Sequence, residues 1–302
     1  MKRFSLLLNV LLFSIIFFST AQELPKSCCN KIEIPKYAKN DIVISHVGYS
    51  FLYNEEHEQA SWVAYELTKE ETNKLFNRTN RFKVDPMVKT GSANNSDFTG
   101  SGYDRGHLAP AGDMGWSSTA MAESFYYSNM SPQVPGFNRG IWKKLEELVR
   151  SWAIENNSIL VVTGPVLKKG LKTIGPDHVS VPDLYYKVIL DNHEPSIKGI
   201  AFLIPNASQS LGLQSFVASI DSVESVTGID FFPRFPNEDK IERTSSIEQW
   251  SWTSTRTTNT LTANKASISV QCNGITKAGN RCRNKTLNLS GYCYLHETQS
   301  KK

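Results

Sequence analysis

Cysteine is absent from the whole central part of this 302-residue chain. The five cysteines lie near its two ends, as Cys28, Cys29, Cys272, Cys282 and Cys293. A disulfide framework therefore cannot hold the central part together, and that part must fold on a hydrophobic core. The odd number of cysteines also argues against a molecule in which all of them form disulfides, and leaves a thiol or a metal site to explain.

A strong charge of one sign is also lacking. The formal net charge of the chain is only +4, which is not the composition of a highly basic protein. From Glu238 to the C-terminus, however, ten lysines and arginines stand against five acidic residues. The sequence therefore predicts that electrostatic attraction to a polyanion is concentrated in this tail.

Long apolar runs are missing after the first twenty residues. The stretch from Leu6 to Phe18 is apolar, two basic residues precede it, and small residues ending at Ala21 follow it. This order predicts a signal peptide over residues 1–21. A transmembrane anchor is the alternative, but the stretch is shorter than the roughly 20 residues that a span needs. We therefore predict an exported protein, secreted or periplasmic, without stable membrane association.

The rest of the chain divides by composition into four parts. A lead-in over residues 22–40 precedes residues 41–236, which are long enough for one catalytic domain. Residues 237–270 are rich in Ser, Thr and Asn and contain Trp250 and Trp252, and this composition predicts a mostly flexible linker. Residues 271–297 contain the tail cysteines and predict a small separate module.

Periodicity and residue type predict both strands and a helix in this domain. Extended, aromatic-rich chain from Ile42 to Leu67 predicts a hairpin. Apolar residues spaced by four, three and four positions predict an amphipathic helix that begins near Asn138 and ends at Asn156. Three further β-rich runs predict strands. They are Ile159 to Thr163, Tyr185 to Leu190 and Gly199 to Ile204.

Three places in the domain have residues suited to catalysis. The run Asp104-Arg105-Gly106-His107 contains a histidine, although a lone histidine is more often structural than catalytic. Asn138 either caps the predicted helix or offers its carbonyl oxygen to a hard cation. Glu146 follows eight residues later, and a straight helix separates the two by about 12 Å along the axis, so that both cannot easily ligate one ion directly.

Taken together, these motifs resemble the DNA/RNA non-specific endonucleases, the endonuclease G-like ββα-metal family. The Asp-Arg-Gly-His run continues as Leu-Ala-Pro-Ala, and Ser128 to Gln133 reads Ser-Asn-Met-Ser-Pro-Gln. Asn138 to Glu146 is similar to the family pattern Asn-x-x-x-Trp-x-x-Leu-Glu. Several ordered motifs are far more specific than any one of them. The resemblance covers roughly His46 to Pro236. It implies an α+β fold with a mixed, mainly antiparallel sheet flanked by helices, which carries a ββα-metal motif.

The resemblance also implies a role for each residue in these motifs. His107 would be the general base, and Asn138 would hold Mg²⁺, or Mn²⁺ in its place. Glu146 would accept hydrogen bonds from the waters of the ion, and Arg105 would clamp the phosphate. The remaining residues are Asp104 and Asn129 in supporting roles, and Arg78 or Arg81 as a substrate-binding arginine, a choice that the sequence leaves open.

The implied activity is cleavage of DNA, RNA or both with little sequence preference, leaving 5′-phosphate and 3′-hydroxyl ends. Two other interpretations stay open. One is a nucleic-acid-binding protein in which a nuclease fold has lost its activity, and the other is a phosphodiesterase that acts on another substrate. Retention of His107, Asn138 and Glu146 together argues against the first of these.

The tail contains a second candidate metal site. Cys272, Cys282, Cys293 and His296 form the pattern C-x9-C-x10-C-x2-H, and three thiolates with one imidazole are a recognised tetrahedral Zn²⁺ set. This pattern resembles small Cys3His modules that are appended to other enzymes. The alternative is one disulfide with a leftover thiol, which export to an oxidising compartment would favour. Cys28 and Cys29 can pair with the tail or with another chain.

Overall fold

The computed structural model describes residues 31–252, apart from 237 and 244–246, and a part of the tail. In the tail it describes residues 270–276, 279–282, 285–286, 291–292, 296 and 299. The chain divides into two compact units, Met1–Thr255 and Arg256–Lys302. Within the described ranges no helix is long and apolar enough to cross a membrane. The predicted signal peptide, Cys28, Cys29 and Cys293 lie outside the described residues.

A seven-stranded antiparallel sheet forms the centre of the first unit, in the order β1-β2-β3-β6-β9-β10-β11. The predicted hairpin and all three predicted strands lie in this sheet. The paired strands are β1 (Val43–Ser45), β2 (Ser50–Asn54), β3 (Gln59–Thr68), β6 (Ser158–Pro165), β9 (Leu184–Asp191), β10 (Lys198–Pro205) and β11 (Val217–Ala218). Short pairs elsewhere in the unit are β4 (Asp104–His107) with β5 (Met130–Gln133), and β7 (Thr173–Ile174) with β8 (Val179–Ser180).

Both faces of the sheet are buried. Because successive side chains of a strand point to opposite sides, each strand contributes residues to a cluster on either face. On β9, Tyr185 and Ile189 pack into the cluster that includes the helix after β5. Tyr186 and Val188 pack into a second cluster on the other face, with residues of the later helix α4, Ile220–Thr227. The central strands are therefore apolar along almost their whole length.

A ββα motif stands on the first of these faces. Strands β4 and β5 pair antiparallel, with His107 opposite Met130, and a π-helical turn over Phe137–Trp142 leads into helix α3, Lys143–Glu155. The α-helix thus begins five residues later than predicted. The reason is that the backbone at Gly140 leaves helical geometry, with φ −101° and ψ −108°.

Helix α3 buries one side against the sheet, as its periodicity predicts. Leu145, Leu148 and Trp152 are all buried in the core, while Lys143 and Glu147 are exposed. The other α-helices described in this unit are short. They are α1 (Asn95–Phe98), α2 (Ser118–Glu123), α4 (Ile220–Thr227) and α5 (Glu238–Glu242).

The first unit extends beyond Pro236, into the segment for which the sequence predicts a flexible linker. Trp250 is only 3% exposed, and its ring centroid lies 4.5 Å from that of Trp152 on α3. The Trp252 indole nitrogen donates to the carbonyl oxygen of Ile247 at 3.0 Å. Two large aromatic rings bury enough apolar surface to order a polar segment around them. Deletion after Pro236 would therefore expose the outer side of α3.

Candidate active site

An open cleft of about 860 Å³ lies beside the ββα motif. Six of its lining residues are lysine or arginine and three are acidic. The charged residues are Lys74, Arg78, Asp104, Arg105, Arg139, Lys143, Glu146, Glu147 and Arg150. A concave surface with this surplus attracts polyanions. The sequence predicted that electrostatic attraction to a polyanion is concentrated in the tail, and this prediction needs correction. The net charge of a domain does not show how its basic and acidic side chains are distributed over its surface.

His107 ends strand β4 and lines this cleft. It is 7% exposed, and the edge of the ring packs against Phe125 at 4.9 Å between centroids. Its Nε2 atom is buried and has no hydrogen-bond partner among the described residues. Burial, together with the positive charge of Arg78, lowers the pKa of His107 to about 3. The imidazole is therefore neutral at physiological pH and has a ring nitrogen that can accept a proton.

Gly106 allows β4 to pack closely on β5. A Cβ atom at this position would overlap the side chain of Gln133, which lies on the neighbouring strand. Glycine is required where a neighbouring group approaches the backbone this closely. The glycine in the Asp-Arg-Gly-His run therefore sets the position of the strand that carries His107.

Asp104 holds two neighbouring residues at the cleft. Its Oδ2 accepts from Asn138 Nδ2 at 2.9 Å, and Arg139 donates to both carboxylate oxygens at 2.8 and 2.6 Å. Burial favours the neutral acid, but these hydrogen bonds outweigh it and lower the pKa of Asp104. Because the amide nitrogen of Asn138 is engaged in this way, its carbonyl oxygen stays available to another partner.

Glu146 also lines the cleft, and its side chain comes from the first turn of helix α3. Burial raises the pKa of its carboxyl group, and the positive charges of Arg150 and Lys187 oppose that change. Arg150 pairs with the buried carboxylate of Asp113 at 2.6 Å, and Tyr65 donates to the second oxygen of Asp113 at 2.9 Å. A layer of charged groups therefore lies beneath this wall.

The three arginines predicted from the sequence differ in position. Arg105 lines the cleft, and its Nη2 donates to Asn95 Oδ1 at 2.7 Å. Arg78 also lines the cleft, with its guanidinium 5.1 Å from the Phe125 ring centroid. Arg81 is exposed and does not line the cleft. Of the two alternatives for a substrate-binding arginine, the structure therefore places only Arg78 beside His107.

Asn129 does not reach the cleft. It is fully buried, its Oδ1 accepts from the backbone nitrogen of Ala109 at 2.8 Å, and its Nδ2 donates to the carbonyl oxygens of Ala109 and Ser124, both at 2.9 Å. All these partners are backbone atoms. Asn129 therefore fixes the loop that follows His107 and has no contact with the space in which a substrate would bind.

In the tail unit, three of the four predicted zinc ligands come together. The ligand atoms of Cys272, Cys282 and His296 all lie within 4.8 Å of one another. The Cys272 Sγ and His296 Nδ1 atoms are 3.7 Å apart, and the backbone nitrogen of Gly274 donates to Cys272 Sγ at 3.2 Å. Around them, strands β12 (Val270–Gln271) and β13 (Lys285–Thr286) pair antiparallel.

Comparison with known proteins now decides the family. The model of the DNA/RNA non-specific endonucleases matches residues 30–238, which is more than half of the chain. The chain belongs to this family. The predicted family and fold class are both confirmed, and the match contains the whole ββα motif and the cleft residues.

Several curated nucleases are similar to this family member. Nuclease EXOG of Danio rerio is 39% identical over 208 residues, which is 62% of this chain and 60% of that protein. Endonuclease G of Bos taurus is 34% identical over 218 residues, or 67% of this chain and 73% of that protein. Nuclease C1 of Cunninghamella echinulata is 36% identical, over 62% and 81%. The match thus spans 60% of the length of the EXOG protein.

Solved structures support the same fold. A chain in the crystal structure of the EndoG/EndoGI complex matches with a TM-score of 0.61 and 32% identity, over 67% of this chain and 88% of that chain. The seven-stranded antiparallel sheet and the few short helices agree with the predicted α+β class.

The prediction of export is wrong in the light of these relatives. The EXOG proteins, endonuclease G and Nuclease 1 of Schizosaccharomyces pombe are all named as mitochondrial, which points to mitochondria and not to the outside of the cell. The prediction depended on basic residues followed by a short apolar stretch. Mitochondrial leaders are also basic and poor in acidic residues. Basic residues near the N-terminus therefore do not by themselves distinguish an export signal from a mitochondrial leader.

Sequence reasoning missed several charged residues of this site. Arg139 follows Asn138 directly, and Arg150 lies four residues after Glu146, a spacing that puts two side chains on one face of a helix. Both signals were present in the sequence. Lys187 stands inside the apolar run that predicts strand β9, and a charged residue at such a position is itself a signal of an unusual environment.

Proposed function

We propose that this protein is a metal-dependent endonuclease that hydrolyses phosphodiester bonds of DNA, RNA or both with little sequence preference. The observation that carries the proposal is the buried Nε2 of His107, without a partner among the described residues, at a cleft with six basic side chains. Phosphodiesters occur in both nucleic acids, and charged side chains that contact phosphates convey no base sequence. A cleft of this composition therefore suits a nuclease with a broad range of substrates.

In the proposed reaction, His107 takes a proton from a water molecule whose oxygen forms a bond to phosphorus. The bond from phosphorus to the 3′ oxygen breaks, and that oxygen leaves with a proton taken from solvent. Arg105 and Arg78 hold the negative phosphate, and this negative charge beside His107 favours the imidazolium that forms. The low pKa of the free ring keeps it unprotonated until the phosphate arrives.

Asn138 is the proposed ligand of Mg²⁺ or Mn²⁺, through its side-chain oxygen. The orientation of its amide by Asp104 supports this, because hard cations bind amide and carboxylate oxygens. Glu146 would accept hydrogen bonds from water on the same side of the cleft. Bound at this position, the cation would neutralise charge on the scissile phosphate and stabilise the leaving oxygen.

Incubation of purified protein with supercoiled plasmid and with structured RNA tests this function. We expect nicked and then linear plasmid, and shortened RNA, in the presence of Mg²⁺ and no cleavage of either in EDTA. Cleavage that persists in EDTA would refute the metal requirement. Retention of both substrates on the protein without any cleavage would instead support the binding-protein alternative.

We also propose that the tail unit binds one Zn²⁺ through Cys272, Cys282, Cys293 and His296. The proximity of the three described ligands supports this, as does the hydrogen bond from the Gly274 backbone to Cys272 Sγ, since outer hydrogen bonds commonly orient metal ligands. The competing disulfide depended on export to an oxidising compartment, and that argument has lost its basis.

Measurement of bound metal by mass spectrometry tests the zinc site. The full chain is expected to contain about one equivalent of Zn²⁺, since a structural site of this kind holds one ion. Cys282→Ser should lose it, whereas Cys28→Ser should keep it, because Cys28 lies outside the proposed ligand set. An unchanged zinc content in Cys282→Ser, or an intact protein mass that shows a Cys272–Cys282 disulfide, would refute the site.

A further inference from the structure

A fully buried lysine lies beneath the proposed active site. Lys187 is in the middle of β9 and has 0% exposure. It alternates with Tyr185 and Ile189, whose side chains pack on the α3 face of the sheet. No hydrogen-bond partner of its Nζ atom exists among the described residues. Lysine is almost never fully buried unless it is paired, so this ammonium group needs an explanation.

The ammonium group of Lys187 packs against the residue that precedes helix α3. Its Nζ atom lies 4.9 Å from the ring centroid of Trp142. Glu146 is four residues after Trp142, at a spacing that puts the two on the same side of a helical segment. Lys187 lies on the sheet and therefore approaches the same part of α3 from which Glu146 projects into the cleft.

Three other charged groups act on Lys187. Glu146 and Arg150 approach from α3, and Asp113 from the loop after β4. Asp113 is already satisfied, because Arg150 and Tyr65 bind its two oxygens at 2.6 and 2.9 Å. Two of these four groups remain, the anion Glu146 and the cation Lys187. Among the described residues, Lys187 forms a direct ion pair with neither Glu146 nor Asp113.

We propose that Lys187 is a positioning residue that keeps Glu146 ionised and directed into the cleft. The proposal rests on the role given above to Glu146, because both oxygens of a carboxyl group act purely as acceptors only when the group is ionised. Burial raises the pKa of the Glu146 carboxyl group to about 7, although the positive charges of Arg150, Lys187 and Arg78 oppose that change. Loss of one of these cations would therefore raise the pKa further. A lysine on the rigid central strand can provide this charge without occupying the cleft.

A purely structural role is the alternative, in which Lys187 only packs its stem and ammonium group against Trp142. Two substitutions separate the two roles. Lys187→Met keeps most of the length of the stem and removes the charge, whereas Lys187→Arg keeps the charge. Lys198→Met is the matched control, because Lys198 lies on the adjacent strand β10 with its Nζ 4.9 Å from the Trp250 ring centroid, away from the cleft.

The direct test follows the Glu146 carboxyl group by NMR in metal-free, full-length protein with ¹³C-labelled glutamate, assigned with Glu146→Gln. Lys187→Met is expected to raise the pKa of Glu146 by about one or more, since a nearby opposite charge typically changes a carboxyl pKa by about 1–3. In Lys187→Arg the pKa should return most of the way to its native value, and Lys198→Met should leave it unchanged. An unchanged Glu146 pKa in folded Lys187→Met would overturn the proposal.

Cleavage assays provide a second readout. A higher Glu146 pKa leaves less carboxylate at any given pH, so the acid limb of the kcat profile should move to higher pH in Lys187→Met. Where the pKa of Glu146 is higher by about one, the rate on that limb is about tenfold lower. KM should change little, because Lys187 does not line the cleft. If the native protein cleaves nothing, the proposed function fails while the NMR result still decides the coupling.

Lys187→Met can also fail to fold, because it leaves the half-buried carboxylate of Glu146 without a nearby positive charge. In that case the double variant Lys187→Met/Glu146→Gln decides the question, because it removes both charges. Recovery of folding in the double variant, judged by cooperative thermal unfolding, would support compensation between the two groups. Failure of the double variant to fold would overturn the proposal in favour of a structural role.

Discussion

His107→Ala is expected to lower kcat on plasmid DNA by a factor of about 10²–10⁴, the usual contribution of a general base. The ring nitrogen that would take the proton from water is buried at the cleft and has no partner among the described residues. In the part of the chain that the structure describes, no other histidine lines the cleft and could replace it. Steady-state cleavage rates at saturating Mg²⁺ measure the effect.

The matched control for this variant is His193→Ala. His193 pairs with Asp191 at 2.9 Å beyond the cleft, so its loss should leave kcat within about twofold of the native value, as is usual away from a reacting centre. Both variants should unfold cooperatively, because the His107 ring is only one member of a larger aromatic cluster with Phe82 and Phe125. A folded His107→Ala protein with native activity would require another base.

Asn138→Ala is the second substitution with a large expected effect. Loss of the single proposed protein ligand should raise the Mg²⁺ concentration needed for half-maximal activity by at least about 10–100-fold. This is the usual loss of metal affinity or activity when a residue that only hydrogen-bonds to a metal ligand is substituted. Arg139 still binds both oxygens of Asp104 in this variant, so the surrounding backbone should be little disturbed.

The Mg²⁺ dependence of plasmid cleavage measures this change, and binding of Mn²⁺ by electron paramagnetic resonance measures it without turnover. Asn156→Ala is the control, because Asn156 binds the carbonyl oxygen of Trp152 at the far end of α3. Equal metal dependence of Asn138→Ala and the native protein would show that another group holds the cation.

Much of the fold followed from local patterns. Alternating and continuous apolar runs predicted β3, β6, β9 and β10, because a strand between two packed layers needs apolar residues on both faces. The start of α3 was misplaced by five residues, since the π-helical turn around Gly140 depends on packing against the sheet. The linker prediction did not reveal that Trp250 packs on Trp152, because composition does not show where a ring is buried.

The candidate site divides in the same way. His107, Asn138 and Glu146 lie at fixed positions in recognisable motifs, and the structure lines one cleft with all three. Only the coordinates show that Arg78 lines the cleft and Arg81 does not, since the two residues are three positions apart in a loop without regular structure. Asn129 belongs to a motif as well, yet its bonds to backbone atoms direct it away from the cleft.

The sequence by itself determined the family, the apolar strands, the amphipathic face of α3 and the residues suited to the chemistry. These features depend on residue type and on short spacings, which the order of residues states directly. Only the tertiary structure decided which charges meet. Lys187 and Glu146 are separated by about forty positions of chain, and Asp113 and Arg150 are thirty-seven positions apart. Such charges act on one another because a strand and a helix pack with low-dielectric material between them.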